Sequence, residues 1–99
     1  MPVTVIIRGR LRDEPAAAQQ LHDQVTAATK DLAKAAGDLT HRTFRDTADP
    51  RSFLGIDEWA SAEAVQAFSS DPRIQDFFNR LFQSPPEVTI WESTGWNEW

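Results

Sequence analysis

The order in which hydrophobic periodicity alternates between two and 3.6 residues constrains this chain more than any composition figure does. Residues 3–11 alternate as a strand, and residues 15–36 repeat as a helix that stops at Gly37. Residues 39–45 and 52–59 read as two strands around the polar turn Asp46-Thr47-Ala48-Asp49-Pro50. Residues 61–83 read as a second helix with a break at Asp71-Pro72, and residues 87–93 as a last strand. This β-α-β-β-α-β order predicts an α+β, ferredoxin-like domain with an antiparallel sheet. Such a sheet carries helices on one face only, so its other face must meet a partner, a ligand or both.

A length of 99 residues allows one domain, taken as residues 1–99. A chain this short buries roughly two thirds of its unfolded surface, so its core is thin and dimerisation would help. The formal charge of -5 argues against a nucleic-acid or anionic-membrane surface. Without cysteine there are no disulfides and no thiolate metal sites. No apolar run reaches the ~20 residues that span a bilayer, and Met1-Pro2-Val3-Thr4 lacks a signal-peptide layout. The expectation is a cytoplasmic protein.

The period-2 rule divides each strand into two faces. In the first strand Val3, Val5, Ile7 and Leu11 are expected to meet the helices, leaving Thr4, Ile6, Arg8, Arg10 and Arg12 opposite. The strand 39–45 has no clearly apolar face. In the strand 52–59, Leu54 and Ile56 form the aliphatic set expected under the helices, so Phe53, Gly55, Asp57 and Trp59 are expected on the open side. Val88 and Ile90 should face the helices, and Thr89 and Trp91 the open side. Leu21, Val25, Ala28, Leu32 and Ala35 read as the inward stripe of the first helix, with His22 a boundary histidine beside it. Ser61 and Asp71 read as N-caps. Ile74, Phe77, Phe78, Leu81 and Phe82 follow the helical repeat and read as core. The tail Gly95-Trp96-Asn97-Glu98-Trp99 is rich in tryptophan, which suggests packing against a neighbour.

Standard catalytic and cofactor motifs are absent. There is no Gly-rich phosphate loop, and the two histidines lie on different elements without metal-ligand spacing. The reading therefore expects no metal, haem or flavin. What remains is the open face, with Thr4, Ile6, Arg8, Phe53, Asp57, Trp59, Thr89 and Trp91. Aromatic walls with one acid and one base suit a flat aromatic molecule. The same residues equally suit a dimer interface, because interfaces enrich Trp, Phe and Arg.

The element order, the junction Phe53-Leu54-Gly55-Ile56-Asp57-Glu58-Trp59-Ala60-Ser61-Ala62-Glu63-Ala64 and the later Asp71-Pro72 resemble the antibiotic-biosynthesis-monooxygenase-like family of dimeric α/β barrels. The resemblance covers nearly the whole chain. It implies a homodimer whose two sheets pack face to face. It also implies activities such as cofactor-independent oxygenation of polyphenolic polyketide intermediates, haem degradation or quinol oxidation. In the oxygenases the substrate's own electron-rich ring supplies electrons to oxygen, and the protein supplies shape, desolvation and a base.

The chain departs from the family pattern at three places. Phe68 stands near the position where many members carry a helical histidine, the first strand has no asparagine, and Gly55 replaces an asparagine four residues before Trp59. Haem degradation is therefore not expected. Within this frame Trp59 and Trp91 are candidate aromatic walls, with Ile6 and Phe53 as further substrate contacts. Arg8 is a candidate for stabilising an anionic phenolate or enolate, and Asp57 or His41 the candidate proton acceptor. The expected activity is a small cofactor-independent monooxygenase acting on an aromatic polyketide or quinol-type molecule. The alternatives are a non-catalytic ligand-binding dimer and a structural dimer module of the same fold.

Overall fold

The computed structural model describes residues 1–99. Its elements follow the predicted order: β1 (Val3–Arg10), α1 (Pro15–Ala36), β2 (Asp38–Arg45), β3 (Ser52–Trp59), α2 (Ala62–Ser69), α3 (Pro72–Leu81) and β4 (Glu87–Trp91). The strands form one antiparallel sheet in the order β2-β3-β1-β4, the ferredoxin-like arrangement expected from the sequence.

Local chemistry sets the helix ends. Pro15 lies in the first turn of α1, and Gly37 closes that helix at φ 118°, donating its N–H to the carbonyls of Ala33 and Lys34. A left-handed residue at this position suits glycine because it has no Cβ to clash. The Ser61 hydroxyl accepts from the Ala64 N–H at 3.1 Å and caps α2. Asp71 accepts from the Arg73 N–H at 2.9 Å and caps α3, with Pro72 in its first turn. The predicted break in the second helix is thus a cap-and-proline restart.

The register of β1 against β3 corrects one expectation. Val3 pairs with Trp59, Val5 with Asp57, Ile7 with Gly55 and Gly9 with Phe53. Directly opposed residues of antiparallel strands point to the same face. Val3 and Val5 are buried under the helices, so Phe53, Gly55, Asp57 and Trp59 lie there too. Leu54 and Ile56, expected inside, sit with Ile6 and Arg8 on the open face. Aliphatic character misled because both faces of this sheet are partly apolar, and pairing rather than hydropathy decides which one the helices cover.

On the open face Ile6, Leu54 and Ile56 are half-buried by their neighbours, whereas Phe44 and Trp91 are exposed. Strand β2 carries a bulge between Asp38 and Thr40. Asp38 pairs with Trp59 and Thr40 with Glu58, leaving Leu39 as the extra residue. His41, opposite Asp57, therefore shares the helix side with Asp38.

The inward face of α1 also differs from the expected stripe. Leu32 is 44 % exposed, and Ala28 and Ala35 are exposed as well. The face turned to the sheet runs through Ala18, His22, Val25, Thr29 and Ala33.

Two apolar clusters join helices to sheet. Val3, Val5, Trp59 and Val65 form one, with Phe68 against it. Leu11, Ala18, Leu81 and Phe82 form the other, with Phe77 and Phe78 beside it. Phe82 follows α3 in extended conformation and meets the edges of Phe53 and Phe78. No large side chain is wholly removed from solvent, so the layers are held at these two clusters and stand apart between them.

Gly9 is where β1 yields to this packing. A Cβ there would lie 2.6 Å from Cδ1 of Phe82. Because Phe82 is buried and held by two other rings, it cannot simply swing away. Gly9→Ala should therefore destabilise the fold by ~1–3 kcal/mol, measured by urea unfolding. Adding Phe82→Leu should recover part of that loss.

Candidate functional site

The space between the two clusters is a cavity of about 490 Å³ between helices and sheet. That is the size range of small-molecule pockets. Its floor is the helix side of β1, β3 and β2, including Ile7, Gly55 and Asp57. Val25, Thr29 and Ala33 of α1 form one wall, and Phe68, Phe77 and Phe78 from α2 and α3 form the other. The cavity is mainly apolar and aromatic, and its polar groups gather at one end.

Trp59 is 4 % exposed and packs its indole against Phe68 at 5.1 Å between ring centroids, while Val65 belongs to the same cluster. It therefore lies beneath the helices, not on the open side, yet it still lines the cavity. Gly55 adds no side chain to the floor. A Cβ at that position would meet Phe53 at 3.4 Å and Ile7 at 3.6 Å.

The polar end is a run of hydrogen-bonded side chains from three elements. His41 Nδ1 lies 2.8 Å from Asp57 Oδ1, His41 Nε2 lies 2.9 Å from His22 Nε2, and His22 Nδ1 lies 3.0 Å from Asp23 Oδ1. The strand register places His41 beside Asp57, and the inward face of α1 delivers His22. The Asp57 side chain is 11 % exposed and that of Asp23 is 63 % exposed, so the run leads from the cavity floor past His41 of β2 to the outer surface of α1.

Protonation equilibria shift here for identifiable reasons. The Asp57 carboxylate, hydrogen-bonded to His41, holds His41 above the ordinary histidine range, against the opposing effect of burial. Asp38 is pushed up to about 7, first by burial and then by its neighbour Asp57. Its Oδ1 is buried without a hydrogen-bond partner. A protonated carboxyl tolerates that environment far better than a carboxylate does. Asp38 thus keeps its proton well above the normal carboxylate range.

The structure brings Phe53, Asp57, Trp59 and His41 to one cavity. It does not bring Arg8, Ile6 or Trp91 there. These three lie on the opposite face of the sheet, where Thr4 pairs with Trp91, Ile6 with Ile56 and Arg8 with Leu54. The expectation that Arg8 shares a face with Asp57 is therefore corrected, because β3 turns the other way up. His22 and Asp38 are the polar members that the sequence reading missed. The signal for His22 was present in the spacing Ala18, His22, Val25, Thr29, Ala33, a helical stripe overlooked because it is partly polar. No helix of the chain is long and apolar enough to cross a membrane.

A family model described as antibiotic biosynthesis monooxygenase matches residues 3–80. No curated protein sequence matches the chain. Among solved structures, the chain is similar to SnoaB, a cofactor-independent oxygenase from Streptomyces nogalater. The TM-score is 0.71 at 18% identity, over 93% of this chain and 92% of that one. It is also similar to a putative antibiotic biosynthesis monooxygenase from Deinococcus radiodurans, with TM-score 0.70 at 16% identity over 99% and 97% of the two chains. A conserved protein from Methanosarcina mazei gives TM-score 0.71 at 11% identity over 95% and 94%. At these identities the likeness is one of fold.

The paired acids make stability depend on pH. Between about pH 4 and about pH 7 the unfolded chain releases the Asp38 proton while the folded chain keeps it, so folding is disfavoured increasingly across that window. Asp38→Asn removes this effect and can still donate to Asp57. We expect the variant to match the wild type near pH 4 and to be more stable by about 1 kcal/mol at pH 8, about 4–8 °C in Tm for a domain of this size. Thermal unfolding at a series of pH values checks this.

Proposed function

The chain belongs to the antibiotic biosynthesis monooxygenase family, and from that premise we propose that its cavity holds a flat, electron-rich aromatic molecule whose oxygenation the protein promotes without a cofactor. The observation that carries this reading is the His41–Asp57 pair at 2.8 Å, set at the polar end of an otherwise aromatic cavity. A phenol or quinol bound there places its ring among Trp59, Phe68 and Phe77 and its hydroxyl towards the pair. Loss of the phenolic proton makes the ring a better electron donor to oxygen, so the substrate supplies the reducing electrons. His41 is the proposed proton acceptor, and Asp57 orients its ring and stabilises the charge it gains. Trp59 is the proposed stacking wall. An aromatic polyketide or quinol-type compound has the required shape and chemistry.

A second copy of the chain would cover the sheet face opposite the cavity. The open sheet face presents Ile6, Phe44, Leu54, Ile56 and Trp91 with no helix above them. We propose a homodimer built sheet to sheet, in which Arg8 and Trp91 serve the interface. The placement of Arg8 away from the cavity favours a second reading, a ligand-binding dimer in which Arg8 stabilises no anionic intermediate.

Oxygen uptake with an anthrone or hydroquinone separates the two readings. For the enzyme, His41→Gln should lower kcat by ~10²–10⁴-fold while the fold is retained. Trp59→Phe should mainly weaken substrate binding. Trp59→Ala should also cost ~3–5 kcal/mol of stability. No uptake above buffer, together with measurable binding of the same compound, would establish the binder. Sedimentation should show a dimer whose interface buries at least ~1,200 Å², and a stable monomer at micromolar concentration would rule out the sheet-to-sheet arrangement.

A further inference from the structure

The two histidines meet in a way that a single general base does not require. Their rings are inclined by only 14°, with centroids 5.1 Å apart and Nε2 atoms 2.9 Å apart. Rings stacked face to face would have their centroids much closer than their long dimension allows here. These rings meet tip to tip in nearly one plane, so the two Nε2 lone-pair directions point at each other.

Each Nδ1 is already committed. Asp23 and Asp57 are acceptors when ionised, so the hydrogen bonds at 3.0 Å and 2.8 Å require a proton on both Nδ1 atoms. Two neutral imidazoles in those tautomers would confront each other with bare lone pairs at 2.9 Å. One further proton turns that contact into a hydrogen bond of good length. Thr26 Oγ1, at 3.5 Å from His22 Nε2, is too far to relieve the contact. A metal ion held in line between the rings would need about 4 Å between the nitrogens, twice an ordinary metal–nitrogen bond.

We propose that His22 and His41 together hold one additional proton between their Nε2 atoms, forming a singly charged bis-imidazole that makes the cavity select a ligand with an anionic head and a flat apolar body. The proposal rests on the cavity being a ligand site, and it assigns His22 a binding role beside His41: while the shared proton is in place the pair holds a bound anion, and His41 serves as proton acceptor only once that proton has left. The charged groups around the pair leave a cationic surplus: Lys30 and Lys34 add two ammonium groups to the cavity lining, against the carboxylates of Asp57 and Asp23 that hold the two Nδ1 atoms, and Asp38 carries its proton well above the usual carboxylate range. Asp23 sits at the outer, exposed end of the run.

The chain has two histidines, so nitrogen–proton correlation spectra of the imidazoles need only one variant, His22→Gln, for assignment. Both Nδ1 atoms should be protonated at neutral pH. The pair should lose its shared proton as one coupled event, and His22→Gln should lower the pH at which His41 titrates. Two histidines titrating independently, with His41 unmoved by His22→Gln, would overturn the proposal. Binding is read with anilinonaphthalene sulfonate as the anionic probe and N-phenyl-naphthylamine as its neutral counterpart.

The anionic probe should lose at least about tenfold in affinity as pH rises and the pair is neutralised. The neutral probe should be insensitive to pH. Asp38→Asn should remove only the smaller part of the pH dependence that comes from ionisation of Asp38 itself, and His22→Gln should abolish most of it. Equal pH response of both probes, or dependence lost in Asp38→Asn alone, would contradict the charged pair. Failure of both probes to bind would instead remove the cavity as a ligand site, and the spectra would still decide whether the proton is shared.

Discussion

Everything specific to this molecule depends on the register between β1 and β3. The hydrogen bonds that set Val3 against Trp59 and Val5 against Asp57 oblige a tryptophan and an aspartate to share the buried face with two valines. Shifting the strands by one residue would put Leu54 and Ile56 under the helices and yield an ordinary aliphatic core. The observed register places a carboxylate within the helix–sheet layer, where it needs a partner. His41 on the neighbouring strand supplies it. The fold and the polar site thus follow from the same set of backbone pairings.

A second constraint is how the helices cover the sheet. A long α1 on one side and a pair of short helices on the other, broken at Asp71-Pro72, pin the sheet at two clusters. Between those clusters a cavity remains, and the aromatic residues of α2 and α3 become walls as well as core. Phe68 shows both roles, supporting Trp59 while facing the cavity. A core thin enough to leave this space fits a domain of this small size.

Element order, helix caps and the Gly37 stop were legible in the sequence because each is written in residues close to one another: Ser61 with Ala64, Asp71 with Pro72 and Arg73, Gly37 with the last turn before it. The face of β3 was not legible in the same way. Its alternation is clear, but both sets contain large apolar residues, and the choice between them is made by β1. The site was half legible. Asp57, Trp59, Phe53 and His41 carry chemistry that marks them individually. The meeting of His41 with Asp57 and with His22 depends on contacts across 16 and 19 positions of chain that no local pattern encodes. The stripe through His22 was passed over in favour of a more hydrophobic one, although the more polar stripe is the one that faces the cavity.

The bulge at Leu39 carries a consequence of its own. Residues 38 and 41 differ by an odd number, so in a regular strand they would point to opposite faces. The extra residue restores their parity and brings Asp38 round to stand with His41 over Asp57. Deleting Leu39 would flatten the bulge without undoing this arrangement, because Asp38 would then stand two positions before His41 in a regular strand and still oppose Trp59. Taking Leu39 into the ladder at full length would instead send Asp38 to the far side of the sheet, so the chain can lose a residue here and keep the acid beside the base, but cannot straighten the strand at constant length.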